Sequence, residues 1–138
     1  MPRIPPIKNV MRAFPYSLQA DRGLDEARRL MAEHEIRHLP VLDGDELVGI
    51  VTSHDLDRSR HDRQRPATVR EIATAPAYTV PLDEPLDNVL LHMATQRLGS
   101  ALVERNGRVV GIYTTTDALH GFADYLRRDF PVDGDDAA

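Results

Sequence analysis

The chain has 138 residues, with 17 basic and 22 acidic side chains, 41% apolar residues and no cysteine. This composition suits one compact domain or two very small ones and excludes intrinsic disorder. The lack of thiols excludes a disulfide framework, a thiolate metal site and a thiol nucleophile. The net charge of −5 falls to −1 once the last ten residues, with Asp129, Asp133, Asp135 and Asp136, are set aside, so nucleic acid is not an expected partner.

In chain order, Val10-Met11 reads as a short lead-in turn and Tyr16-Ser17-Leu18 as a strand. Leu24, Ala27 and Met31 mark a helix, with Asp25 near its positive end. Leu39 to Leu42 reads as a buried strand, Asp43-Gly44 as a tight hairpin turn and Leu47 to Val51 as the return strand. A second helix follows Thr52. The segment from Asp57 to Arg65 has no apolar residue and reads as a solvated linker, with phosphate capture by its arginines as the alternative. Ile72-Ala73 is a second lead-in, followed by the strand Tyr78-Thr79-Val80. Leu86, Val89, Leu90 and Met93 then stand at i, i+3, i+4 and i+7 of a helix, with Pro85 expected in its first turn and Asp87 near its positive end. Ala101 to Val103, the dipeptide Asn106-Gly107 and Val109 to Tyr113 form a second hairpin. A last helix follows Thr114, with Leu119, Phe122, Ala123 and Leu126 as its stripe, and runs to about Arg128.

The same order, β-α-β-β-α, therefore occurs twice. Laid on itself at an offset of 62 residues, the chain matches without a gap. Tyr16 meets Tyr78, Leu24-Asp25 meets Leu86-Asp87, Met31-Ala32 meets Met93-Ala94 and Val41 meets Val103. Gly49-Ile50 meets Gly111-Ile112, Thr52 meets Thr114 and Asp55 meets Asp117. The expected fold class is α+β: two copies of one unit, each too small for a core of its own, packed face to face with pseudo-two-fold symmetry. The expected divisions are a first repeat with its N-terminal arm over 1–60, a polar linker over 61–70, a second repeat over 71–128 and an acidic disordered tail over 129–138.

The segments Gly49 to Asp55 and Gly111 to Asp117 each run off a strand and open a helix. A glycine there admits a close neighbour. The threonine hydroxyl and the free amides of the helix start suit a phosphate, and a carboxylate one turn on suits a ribose diol. The same Thr-x-x-Asp spacing is also a capping box, which needs no ligand. Both readings stand at this level.

Ile36-Arg37-His38-Leu39-Pro40-Val41, Leu47-Val48-Gly49-Ile50-Val51-Thr52 and the paired Gly-x-x-Thr-x-x-Asp segments resemble a pair of CBS domains, also called a Bateman module. The resemblance covers about residues 8 to 128. It implies a small regulatory or sensor module whose clefts between the repeats bind adenosyl ligands such as AMP, ADP, ATP or S-adenosylmethionine. It further implies that Asp55 and Asp117 hold ribose hydroxyls and that Thr52, Thr114 and Thr115 lie at the phosphate. By the same resemblance Ser17, Tyr78 and Thr79, with His38-Leu39-Pro40 and Ser100-Ala101-Leu102, flank the base. The sequence departs from the family pattern at Leu102, where proline is common, and at Pro15.

His34 and His38 are four residues apart but have no third partner at metal-ligand spacing, so no metal site is expected. No Ser-His-Asp order, Walker loop or zinc motif occurs, and the two aspartates suit two binding sites better than one acid–base pair. The expectation is a binding module, not an enzyme, with an adenine nucleotide as ligand, no obligatory cofactor and a regulated target that the chain does not reveal. The alternative is a ligand-free structural adaptor. Leu90-Leu91 in place of Arg28-Arg29, and a second stripe of Ala118, Phe122 and Tyr125, point to a homodimer. The small Gly99-Ser100-Ala101 and the three hydroxyls of Thr114-Thr115-Thr116 predict a roomier second-copy cleft that binds adenine nucleotide more tightly, with the bulky Arg37-His38-Leu39 filling its own pocket. No apolar stretch approaches the ~20 residues of a membrane helix and the N-terminus lacks a signal-peptide core, so the expected location is cytoplasmic.

Overall fold

A computed structural model describes residues 3–131. The elements are β1 (Arg12–Ala13), β2 (Leu18–Gln19), α1 (Leu24–His34), β3 (His38–Asp43), β4 (Glu46–Thr52), α2 (Ser53–Ser59), α3 (Val69–Ile72), β5 (Thr79–Pro81), α4 (Leu86–Gln96), β6 (Ser100–Arg105), β7 (Arg108–Thr114) and α5 (Thr115–Asp129). A 3-10 turn, Ile7–Asn9, precedes β1. The acidic tail falls, from residue 132 on, outside the described residues, and Asp129 ends α5. Among the described residues no helix is long and apolar enough to cross a membrane.

Each repeat builds the same small sheet. β2 runs parallel to β3 and β3 antiparallel to β4, just as β5 runs parallel to β6 and β6 antiparallel to β7. Both hairpins shift register at equivalent places, between Val41 and Leu42 and between Val103 and Glu104. α1 buries Ala27 and Met31 against the first sheet, and α4 buries Val89 and Met93 against the second. Both helices stop on a left-handed residue, Glu35 or Arg97, whose amide closes the last turn. Pro85 is the N-cap of α4, one position ahead of the expected first turn.

The hairpin turns differ. In the second, Arg105 pairs with Arg108, leaving Asn106 and Gly107 both at positive φ as a type I′ turn demands. In the first, Asp43 pairs with Glu46, so the turn is Gly44-Asp45 instead of the expected Asp43-Gly44, with positive φ at Gly44.

The repeats exchange their lead-in segments. Ile7 is fully buried in the second core, beside Val80, Val89, Met93 and Val103, and β1 pairs with β7, Arg12 opposite Ile112. Conversely Val69 is fully buried in the first core, and Thr74 bridges to Ile50 of β4. The backbone contacts repeat at the same offset: Ile7 N donates to Glu84 O at 2.8 Å, and Val69 N to Arg22 O at 2.9 Å. The segment 61–70, read as linker, thus ends inside α3, with Val69 a core residue of the first repeat. Met11 and Ile72-Ala73 do pack on a repeat, but each on the one it does not precede, and Val10 is exposed. A third buried cluster, Ile50, Leu102 and Ile112, joins the two sheets.

The exchange explains the glycines of the paired motif. A Cβ on Gly49 would collide with the Thr74 backbone carbonyl, and one on Gly111 with the Met11 sulfur. The close neighbour that each glycine admits is the crossing lead-in segment.

Candidate functional site

Both Thr-x-x-Asp segments are capping boxes. Thr52 Oγ1 accepts from the Asp55 amide at 3.1 Å while Asp55 Oδ2 accepts from the Thr52 amide at 2.9 Å. Thr114 and Asp117 repeat this at 3.2 and 2.9 Å, and the Thr114 hydroxyl also donates to Asp117 Oδ2 at 3.0 Å. The next amide is occupied as well: Ser53 N donates to Arg37 O and Thr115 N to Gly99 O, both at 3.0 Å. One carboxylate oxygen of each aspartate remains and faces an arginine. Asp117 Oδ1 accepts from Arg12 Nε at 2.9 Å, and Asp55 Oδ1 lies 3.3 Å from Arg58 Nη2. Both carboxylates are nearly buried, with side chains 11% and 10% exposed.

A cavity of about 550 Å³ opens beside Arg12. It is built crosswise. The lead-in from Arg12 to Tyr16 and the α1–β3 connection from His34 to His38 form one wall, and Ile112, Thr114 and Thr116 of the second repeat form the other. The wall expected to flank a base in the first repeat therefore faces the phosphate-type motif of the second. Phe14 stands at its edge, 82% exposed and at a φ of 50°, a left-handed conformation unfavourable for an aromatic residue. Its amide donates to Val110 O at 2.9 Å, which fixes this turn on β7. Tyr16 stacks on His34 with ring centroids 3.7 Å apart.

Of the residues singled out from the sequence, His38 and Thr114 line this cavity, and Asp117 reaches its rim through Arg12. Ser17 and Thr115 are exposed and outside its lining, Thr79 lies in β5, and Tyr78 stacks on His92 at 4.1 Å. Leu39, Pro40, Ala101 and Leu102 are fully buried or nearly so, and Ser100 is 8% exposed, so their side chains are packing groups. Asp55 lines a separate hollow of about 250 Å³ between α2 and α3, with Arg58, Ser59, Asp62, Glu71 and Ile72. Sequence reasoning missed Arg12, Phe14 and Glu35. An aromatic residue just before Pro15, ahead of the first strand, is the one local signal that could have pointed there. The arginines on the cavity are Arg12 and Arg37, neither from the 57–65 segment.

The cavity joins the Arg37-His38 wall to Thr114 and Thr116 of the second copy, so it holds threonines expected in the second-copy cleft but not Gly99-Ser100. His38 lines this cavity and also lies against Gly99 of the second repeat, where its Nε2 is 2.7 Å from the point a Cβ would occupy. Burial pushes its pKa below the ordinary 6.5, the Arg37 charge adds to this, and Asp55 and Asp117 both oppose it. The imidazole thus feels the carboxylate of each repeat. Among the described residues no group of three or more His, Asp or Glu side chains is placed to hold a metal, and His34 is engaged with Tyr16.

The CBS domain family model matches twice, over residues 7–62 and 69–124, and the chain belongs to that family as a tandem pair. It is 34% identical over 113 residues to an L-aspartate semialdehyde sulfurtransferase of Methanocaldococcus jannaschii, covering 80% of this chain and 22% of that protein. It is 34% identical over 105 residues to an inosine-5'-monophosphate dehydrogenase of Thermoplasma acidophilum, covering 75% and 21%. The chain thus spans about a fifth of the length of these relatives. Among solved structures, the CBS domain pair of protein MJ0100, in complex with 5'-methylthioadenosine and S-adenosyl-L-methionine, superposes with a TM-score of 0.83 at 30% identity, covering 89% of this chain and 99% of that one.

Proposed function

We propose that this CBS pair is a regulatory module that binds an adenosyl ligand in the cavity between the lead-in wall and Thr114–Asp117. The observation that carries the reading is the Arg12–Asp117 pair at the rim of a cavity of about 550 Å³, within the size range of small-molecule sites. Asp117 Oδ2 is committed to the cap, whereas Oδ1 is held only by an arginine that is itself 59% exposed. A ribose diol can replace that arginine at Oδ1, and the released guanidinium then stands beside Arg37 for a phosphate. Tyr16 and Phe14 offer apolar faces to a base. The ligands of the MJ0100 pair, at 30% identity, support the adenosyl class.

The module acts by binding, not by turnover, and passes its state to a target protein. It works as a homodimer through α4 and α5. Leu91 is 66% exposed, Leu119 71% and Phe122 60%, and α5 buries none of its fifteen residues within the chain.

Thermal-shift titration with AMP, ATP, 5'-methylthioadenosine and S-adenosylmethionine tests the reading. A ligand at 100 times its Kd adds about 2.7 kcal/mol to stability, and that gain should fall to about 1.4 kcal/mol or less in Asp117→Ala. If none of the four compounds raises the melting temperature, the proposal fails and the structural adaptor takes its place.

A further inference from the structure

The duplication gives every residue of the cavity wall a counterpart across the pseudo-two-fold axis, and the counterparts differ in kind. Where the first cleft has Arg12 and Arg37, the offset of 62 places Thr74 and Gly99 in the second. Where the first has Thr116, the second has His54. Neither guanidinium is reproduced. The space that a side chain at position 99 would enter, the counterpart of Arg37 on the cavity wall, is taken by the His38 ring, with Nε2 2.7 Å from the virtual Cβ. The reciprocal contact cannot form, because the counterpart of His38 is Ser100, a side chain too short to cross the axis. One ring thus breaks the symmetry in one direction only.

We infer that His38 limits this chain to one adenosyl ligand, by closing the cleft that contains Gly99 while leaving its own open. The inference rests on the proposed adenosyl site and adds its stoichiometry and the residue that sets it. His38 is a specificity-determining residue here, and Gly99 is the small partner that admits its ring. The prediction is strongest for an uncharged ligand, since a phosphate would already find no arginine at positions 74 and 99.

Calorimetry with 5'-methylthioadenosine tests it. The unmodified protein should bind one molecule per chain, and that event should weaken at least tenfold in Asp117→Ala and persist in Asp55→Ala. His38→Ser, which restores the residue found at position 100, should bind two, the second lost on adding Asp55→Ala. His38→Gln keeps a long planar side chain and should not gain the Asp55-dependent event, which separates cleft opening from general loosening whatever the change does to the cavity that His38 also lines. Two molecules on the unmodified chain, or no Asp55-dependent event on His38→Ser, would overturn the inference and leave the adenosyl site standing. No binding to the unmodified chain but one molecule on His38→Ser would refute the proposed site and uphold closure by His38. No binding to either protein removes both.

Discussion

Replacing Ile7 by alanine probes the exchange of lead-in segments directly. The side chain is fully buried among Val80, Val89, Met93, Ala101 and Val103, all of the second repeat, although Ile7 precedes the first. The substitution removes three carbons, whose transfer contributes about 2.4 kcal/mol at roughly 0.8 kcal/mol each. The core is held by one sheet and a helix and cannot fully collapse, so a cavity cost raises the expected loss to about 3–4 kcal/mol, inside the usual range of about 2–5. For a chain of this size that lowers the melting temperature by roughly 10 °C. Urea unfolding followed by circular dichroism measures the loss from the midpoint at constant slope. The same substitution should weaken ligand binding. The backbone bonds from Ile7 and Lys8 to Glu84 and Leu82 seat the segment that carries Arg12 to Tyr16 along the cavity. A loss below about 1 kcal/mol, the level of a typical surface change, would refute the packing of this residue in the second core.

The mirror substitution, Val69→Ala, should cost about 2 kcal/mol through the first core, although position 69 lies in a stretch that is otherwise polar in sequence. Thr114→Ala removes the acceptor for the Asp117 amide and should cost about 1 kcal/mol; it should also weaken nucleotide binding, because Asp117 then loses a bond that orients it, and calorimetry beside a thermal melt reads both. Since the folded state holds the His38 pKa below 6.5, with Asp55 and Asp117 opposing burial and Arg37 reinforcing it, the unfolded chain binds the proton more readily. The stabilisation present above pH 6.5 is therefore lost as pH falls through the folded-state pKa, and His38→Gln should flatten that limb of the stability–pH curve. Sedimentation should return a mass twice 15.5 kDa, and Leu119→Asp with Phe122→Asp should halve it; an unmodified chain that sediments at 15.5 kDa refutes the dimer.

What the sequence by itself determined is what neighbouring residues encode. The duplication at an offset of 62, the helices of Met31 and Met93, the paired hairpins and both capping boxes depend on residues within a few positions of one another. Apolar period, turn dipeptides and Thr-x-x-Asp spacing are sufficient for these. The choice between ligand site and cap at Thr52 and Thr114 was left open, and the structure shows the cap formed at both, with one carboxylate oxygen still facing an arginine. Only the tertiary structure decided which segments cross. β1 has two residues and pairs with a strand a hundred positions away, and so short an element leaves no period to detect. The crossing in turn makes the cavity from the first repeat's wall and the second repeat's motif, a pairing that comparison of the repeats position by position cannot show. The bulk of His38 was legible in the sequence and the lack of a side chain on Gly99 was too. That the ring leans onto Gly99 and leaves its own cleft open follows from the space across the axis, where a side chain meets atoms its own repeat does not supply.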